Sequence, residues 1–130
     1  CFPLYSAANA VIRAYRPLLD ELDLTYSQYL VMMVLWEKDG ASVKELGSQL
    51  HLDSGTLTPL LKRLEAKGYV ERGRSDTDER VRVLNLTEQG RDLKEQAKSV
   101  PNAMMCKITL ELDEMIMLKK LCGKVLDNLN

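Results

Sequence analysis

A mainly α-helical fold carrying one small β-hairpin is what this 130-residue sequence predicts, and three observations carry that prediction. Apolar side chains recur at three-and-four spacing over most of the chain, the mark of amphipathic helices. The period changes to two only over Tyr69–Arg72 and Val81–Leu84, which read as two strands. The length suits one domain with a single modest core, and 45% hydrophobic with 28% charged residues argues against disorder.

Taken in order, Leu4, Ala8, Val11, Ile12, Tyr15, Leu18 and Leu19 define a first helix from about Leu4 to Leu19. Pro17 lies inside that pattern and predicts a kink or an early end. Thr25 or Ser27 caps a second helix whose stripe is Tyr26, Tyr29, Leu30, Met33 and Val34, ending at Gly40. Ser42, with Glu45 three residues on, reads as a capping box for a short third helix that turns Val43, Leu46 and Leu50 inward. The turn His51-Leu52-Asp53-Ser54-Gly55 leads to a fourth helix with Leu57, Leu60, Leu61 and Leu64 on one side, stopping at Gly68. Pro59 costs little there if Thr56 is the cap, and a hydrogen bond if Ser54 is; a start at Ser54 or its neighbours, with a strained first turn, is expected. The two strands are joined by a charged loop, Gly73 to Arg80. Thr87 begins a helix carrying Leu93, Ala97, Val100 and Met104, which Pro101 interrupts or bends. A last, broadly apolar helix runs from about Leu110 to Leu129.

Two short helices joined by a tight turn and followed at once by a hairpin with a charged tip make a winged helix-turn-helix. The flanking helices are apolar on more than one side, more than so small a domain can bury, so a helical dimer interface is expected. The whole chain, 1–130, then reads as one domain, with residues 41–86 binding DNA and residues 1–40 and 87–130 forming the dimerisation regions. Two recognition helices in successive major grooves would fit a pseudo-palindromic double-stranded site.

Composition excludes several alternatives. No apolar run approaches membrane-spanning length, and no basic-then-apolar start marks a secretory signal, so a cytoplasmic protein without membrane contact is expected. The chain opens on Cys1 rather than Met, and residues upstream are expected to have been removed or left out. One His and three scattered cysteines, at positions 1, 106 and 122, offer no zinc spacing and fit a reducing compartment. No Gly-rich phosphate loop or Ser-His-Asp arrangement supports an enzyme, and no cofactor is expected.

The formal charge of −1 hides a local pattern. Residues 1–40 hold three basic and five acidic groups, residues 41–82 eight and seven, and residues 83–130 seven of each. Lys62, Arg63 and Lys67 lie away from the leucine face of the fourth helix, while Arg74, Arg80 and Arg82 sit on the hairpin. On charge alone an ordinary solvated face explains them equally well; topology favours DNA. Ser54, Thr56 and Thr58 can approach phosphates at a helix N-terminus or reach base edges. Asp78, two residues before Arg80, can orient its guanidinium for the minor groove, though a surface ion pair is the plainer reading. His51, in the connection between the two helices, is expected to cap or touch phosphate.

At this point Asp78-Glu79-Arg80, Val81 to Leu86 and Leu86-Thr87-Glu88-Gln89-Gly90 resemble the wing and following helix start of the MarR family of dimeric repressors. Cys1-Phe2-Pro3-Leu4-Tyr5-Ser6 and the run from Asp53 to Glu65 resemble one branch, the organic-hydroperoxide-sensing (OhrR-type) regulators. The likeness covers essentially the whole chain. It implies that Cys1 is the peroxide-reactive thiol and that Tyr15 and Tyr26 of the partner subunit hydrogen-bond its sulfur. Some members add a resolving cysteine in the C-terminal region, which implies that role for Cys106. Tyr5 and Tyr29 are weaker candidates for the same pocket.

The residues themselves are compatible. A thiolate attacks a peroxide O–O bond, and a helix N-terminus such as that after Cys1 favours it. A sulfenic acid can condense with a second thiol, provided the Cα atoms come within about 7 Å. The plainer readings are an inert terminal thiol at Cys1, core tyrosines at positions 15 and 26, and a helix-end thiol at Cys106. Cys122 lies on the apolar face of the last helix and is expected to pack inside. The expected function is a DNA-binding repressor that leaves its operator when organic hydroperoxide oxidises Cys1. The alternatives are a repressor released by a small aromatic ligand, a thiol peroxidase using Cys1, and a winged-helix protein-interaction module.

Overall fold

A computed structural model describes residues 1–74 and 80–130. The element order is α1 (Phe2–Asp20), α2 (Tyr26–Glu37), α3 (Val43–Leu50), α4 (Ser54–Ala66), β1 (Val70–Arg74), β2 (Arg82–Leu86), α5 (Glu88–Ala97), α6 (Ser99–Ile108) and α7 (Leu112–Leu129). The chain divides into two compact units, residues 1–100 and residues 101–130.

In the first unit α2, α3, α4 and α5 each begin at a residue whose side chain accepts a hydrogen bond from the first turn, whereas Cys1, ahead of α1, makes no such bond. Pro17 neither stops α1 nor shortens it; the helix continues to Asp20. It ends where the Leu24 N–H reaches back to the Leu19 carbonyl (3.1 Å) around Asp23, held at φ +55°. Thr25, not Ser27, caps α2. Its hydroxyl accepts from the Gln28 N–H (3.3 Å), and the Gln28 side chain accepts from the Thr25 N–H (3.0 Å). Ser42 caps α3 by accepting from the Glu45 N–H (3.0 Å). That helix ends on His51, at φ +56°, whose N–H bonds to the Gly47 carbonyl.

α4 begins where expected, at Ser54, and its cap is the neighbouring Asp53 rather than Thr56, the Asp53 carboxylate accepting from the Thr56 N–H at 2.8 Å. Asp, Ser and Thr are all good caps, so composition alone did not separate adjacent choices. Pro59 falls inside the helix, where it cannot donate to the Gly55 carbonyl.

The strands also sit later than expected, at Val70–Arg74 and Arg82–Leu86. They pair antiparallel, from Val70 opposite Leu86 to Arg74 opposite Arg82. Gly73 continues the first strand rather than opening the loop. Ser42 bridges to Val83, and the Leu84 N–H donates to the Ala41 carbonyl (2.9 Å), so the segment before α3 adds a short third edge to the wing.

The core of this unit is Leu19, Met32, Leu35, Leu46, Leu57, Leu61, Leu64, Val70 and Leu84, each almost fully buried. Every such side chain contributes about 1.5–3 kcal/mol of transfer free energy. Three polar ties lock the wing and α5 to the rest of this unit. The Trp36 indole N–H donates to the Gly90 carbonyl (2.9 Å). Asp39 accepts from the Leu86 N–H (2.8 Å) and lies 3.7 Å from Arg91. Thr87 caps α5 through the Gly90 N–H (3.0 Å) and donates its hydroxyl to the Gly68 carbonyl (2.6 Å). Glycine is required at position 90, because a Cβ there would sit 2.1 Å from the Tyr69 carbonyl oxygen.

The helix expected to run from Thr87 to Met104 is two helices, and the break falls at Lys98 rather than at Pro101. Pro101 cannot donate to the Ala97 carbonyl and its ring would crowd it, so regular winding stops ahead of the proline. Pro101 then lies in the first turn of α6, where its missing N–H matters least.

The second unit comprises the rest of α6 and all of α7. Thr109, at φ +56°, separates them, and the Glu111 N–H donates to the Glu114 carboxylate (3.0 Å) at the start of α7. No residue of α7 is buried.

Candidate functional site

The tyrosines singled out from the sequence form a cluster where the end of α1 crosses the start of α2. Tyr15 stands on α1; Tyr26 and Tyr29 stand one turn apart on α2, so both face it. The Tyr15 ring lies 5.0 Å from Tyr26 and 5.7 Å from Tyr29, both tilted contacts. Tyr29 continues edge-on to Trp36 at 6.2 Å. Such geometries suit aromatic quadrupoles and add to area burial. Tyr29 is buried, while Tyr15 and Tyr26 are half-buried, each keeping part of its surface open.

Burial raises the pKa of all three phenols above the ordinary tyrosine value, and for Tyr15 and Tyr29 the neighbouring tyrosines add to the rise. At neutral pH the O–H groups therefore stay protonated and can serve as hydrogen-bond donors.

Cys1 is the N-cap of α1 and is exposed, as are Cys106 on α6 and Cys122 on α7. Cys122 departs from the expected internal packing, because no side chain of α7 is buried. Cys1 caps the start of α1 and Tyr15 stands about four turns along the same helix. Fourteen residues of α-helix separate them by about 21 Å along the axis, at 1.5 Å per residue. No side chain spans that distance. Tyr5 stays near the Cys1 end, 71% exposed, whereas Tyr29 joins Tyr15 and Tyr26. Of the weaker candidates, one therefore belongs to the cluster and one does not.

The other half of the expected site lies on α4 and the hairpin. Ser54, Thr56, Thr58, Lys62, Arg63, Arg74, Arg80 and Arg82 are all exposed. Two of the small residues are partly committed inside the helix: the Thr56 N–H to Asp53, and the Thr58 hydroxyl to the Ser54 carbonyl (2.8 Å). The Asp53 carboxylate occupies the helix N-terminus, and the hydrogen bonds it accepts from the backbone and side chain of Thr56 hold its pKa below the usual carboxylate value. Arg74 and Arg82 are directly opposite in the strand register. Like charges facing across a hairpin destabilise it in isolation. A polyanion laid along that edge would relieve the repulsion. Asp78 lies outside the described residues.

Lys67 is a correction. Rather than pointing outward with Lys62 and Arg63, its ammonium donates to the Asp23 carbonyl and to Gln28 Oε1 (3.0 Å), with the Asp23 carboxylate 3.7 Å away. Gln28, Asp39 and Trp36, which hold the site together, were not singled out from the sequence. The four-residue capping pattern Thr25–Gln28 and the lone tryptophan were their available signals.

Among the described residues no three His, Cys, Asp or Glu side chains cluster to hold a metal ion. No helix there is long and apolar enough to cross a membrane. A cavity of about 330 Å³ opens beside the tyrosines, lined by Ile12, Arg16, Leu24, Thr25 and Tyr26 among others.

Residues 13–97 match the family model described as transcriptional regulator SarA/Rot. The chain belongs to this MarR-like family of transcriptional regulators. Within it the chain is of the organic-hydroperoxide regulator type: it is 49% identical over 105 residues to the organic hydroperoxide resistance transcriptional regulator of Bacillus subtilis, covering 81% of this chain and 71% of that one. It is 55% identical over 114 residues to the HTH-type transcriptional regulator TtmR of Methylorubrum extorquens, covering 88% of this chain but only 58% of TtmR. Among solved structures of AbfR, the reduced form bound to DNA superposes with TM-score 0.81 at 35% identity, covering 100% of this chain and 90% of that one. The disulfide-formed AbfR superposes with TM-score 0.70 at 34% identity, covering 96% and 88%. The two sequence relatives are named as transcriptional regulators, and the winged helix-turn-helix of this chain is the fold seen on DNA in reduced AbfR.

Proposed function

We propose that this MarR-type regulator is a homodimeric, cytoplasmic repressor that holds a pseudo-palindromic operator while Cys1 is reduced and releases it when an organic hydroperoxide oxidises Cys1. The observation that carries this reading is the separation of Cys1 from Tyr15 along one helix, about 21 Å of axial rise. The protonated phenols of Tyr15 and Tyr26 are suited to donate to a thiolate, yet no thiol of their own chain's α1 start reaches them. A second copy supplies one. Exposed Phe2 and Leu4 around Cys1, and exposed Leu112, Ile116, Leu121 and Leu129 on α7, are apolar surface that a partner would cover. The naming of the Bacillus subtilis relative as an organic hydroperoxide resistance regulator supports the choice of oxidant.

In this mechanism the Cys1 thiolate attacks the terminal oxygen of ROOH. The O–O bond breaks, the alkoxide leaves and takes a proton to become the alcohol, and Cys1 becomes a sulfenic acid. Its sulfur can then be attacked by the Cys106 thiolate of the partner, with loss of water, to give a disulfide. Either product removes the thiolate that the tyrosines donate to, and repacking at α1 and α2 shifts the recognition helices apart from their groove spacing. Lys62, Arg63 and the arginines of the wing carry the phosphate contacts, with Arg80 assigned to the minor groove and Asp78 to its orientation. The thiol acts once per event, as a sensor, and not as a turnover peroxidase.

The test is operator binding before and after cumene hydroperoxide for wild type and Cys1→Ser. Wild type should release; Cys1→Ser should stay bound. Release of both proteins alike overturns the thiol mechanism. It would instead favour a second reading, supported by the cavity lined by Arg16 and Tyr26, in which a small aromatic ligand sets the DNA-binding state.

A further inference from the structure

We propose that Lys67 is the positioning residue through which the state of the tyrosine cluster reaches the recognition helix. Lys67 directly follows α4, as the residue that closes it, so its backbone moves with the recognition helix. Its ammonium reaches across to the α1–α2 connection and holds three groups there: the Asp23 carbonyl, the Asp23 carboxylate at 3.7 Å and Gln28 Oε1 at 3.0 Å.

Those three groups are the hinge between the tyrosines. Asp23 sits at φ +55°, a left-handed conformation that Gly normally fills and that few L-residues adopt. Gln28 is 2% exposed and forms the capping box of α2, the helix that opens on Tyr26 and carries Tyr29 one turn later. Tyr15 is on the other arm of the same connection. A second tie runs in parallel, since the Tyr69 hydroxyl donates to the Leu22 carbonyl at 3.3 Å. Any change in the angle or packing of α1 against α2 therefore pulls on the Lys67 ammonium and, through it, on the end of α4. A strained turn held by a side chain of another element has two natural arrangements, held and released, which is what a switch requires.

An ordinary surface ion pair would not do this, because its members are free to part at little cost. Here only the Asp23 carboxylate is well exposed, at 81%, while the lysine side chain is 27% exposed and bonds a buried amide oxygen. The bonds to the carbonyl and to Gln28, rather than the charge pair, carry the coupling.

This inference rests on the redox reading above, and the experiment separates the two. Operator affinity is measured for the full-length dimer, reduced and after cumene hydroperoxide, in wild type, Lys67→Met and Lys67→Arg. The quantity read is the ratio of oxidised to reduced dissociation constant. Failure of wild type to release sinks the redox reading itself. With wild type releasing, Lys67→Met should lower that ratio at least tenfold while Cys1 is oxidised at the wild-type rate, and Lys67→Arg should restore most of it. A lysine that merely stabilises the fold would weaken both states equally; an unchanged ratio in Lys67→Met overturns the proposal. Should Lys67→Met not fold, the wild-type protein answers the question through the side-chain ¹⁵Nζ signal of Lys67. That signal should shift on oxidation, and an identical signal in both states overturns it.

Discussion

The rings of Tyr15 and Tyr26 lie 5.0 Å apart across the α1–α2 junction, each half-buried, with protonated hydroxyls at neutral pH. Removing those hydroxyls should cost sensing without costing the fold. Tyr15→Phe and Tyr26→Phe keep the stacking and should each change stability by under about 1 kcal/mol, the net worth of one hydrogen bond. Cys1 oxidation should slow about tenfold, read from thiol loss against time after mixing with cumene hydroperoxide.

The same burial sets a pH dependence. Tyr15, Tyr26, Tyr29 and Tyr69 all have pKa values raised above 10.0 in the folded chain. The folded state therefore holds these protons more tightly than the unfolded one. Their contribution is fully present below about pH 10, the unfolded tyrosine value, and is lost as pH rises through the folded values. Urea midpoints should fall from pH 9 to pH 11, and the fall should be shallower in the Tyr15→Phe/Tyr26→Phe protein.

Gly90→Ala tests the junction between wing and helix. A Cβ 2.1 Å from the Tyr69 carbonyl cannot be accommodated by a rotamer change, since the obstacle is backbone. The cost should be about 3 kcal/mol, the upper end for overpacking, measured by denaturant unfolding.

On the DNA side, Arg82→Gln should weaken operator binding across all sequences and reduce the salt slope by about 1, the signature of one phosphate contact. It should also relieve the facing charges at Arg74 and Arg82, so the protein should become no less stable. Lys62→Ala should reduce the slope similarly, whereas Arg80→Ala should act most at A·T-rich wing contacts.

Asp53 gives a contrasting acid-side effect. Its pKa is lowered by the hydrogen bonds from Thr56, so the stability it contributes is present above the ordinary carboxylate range and lost as pH falls through the folded value. Asp53→Ala should lower the melting temperature at pH 7, and Asp53→Asn, which retains the cap, should restore it.

The elements that the sequence made legible are those whose signals are local. Thr25, Ser42 and Thr87 cap the helices they were expected to cap, because a hydroxyl three residues ahead of an unpaired N–H acts without reference to the rest of the fold. What the sequence does not announce depends on distant partners. The partner of Lys67 is the α1–α2 turn, 44 residues away in sequence. The hairpin slid by one or two residues because Ser42 and Ala41 bridge to Val83 and Leu84, a pairing no two-residue period announces. Cys122 was expected inside because its helix is apolar on that face, yet that face is open in a single chain. The tyrosines were placed on the right stripes, but that Tyr29 rather than Tyr5 completes the cluster follows from where α1 meets α2.

The proposed sensing site joins Cys1 of one subunit to Tyr15 and Tyr26 of the other. Heterodimers of Cys1→Ser with Tyr15→Phe/Tyr26→Phe test it most directly. Their single remaining Cys1 sits on the chain that lacks both hydroxyls. A cross-subunit site predicts that this thiol faces intact tyrosines and is oxidised by cumene hydroperoxide at the wild-type rate. Oxidation as slow as in the Tyr15→Phe/Tyr26→Phe homodimer would contradict the account.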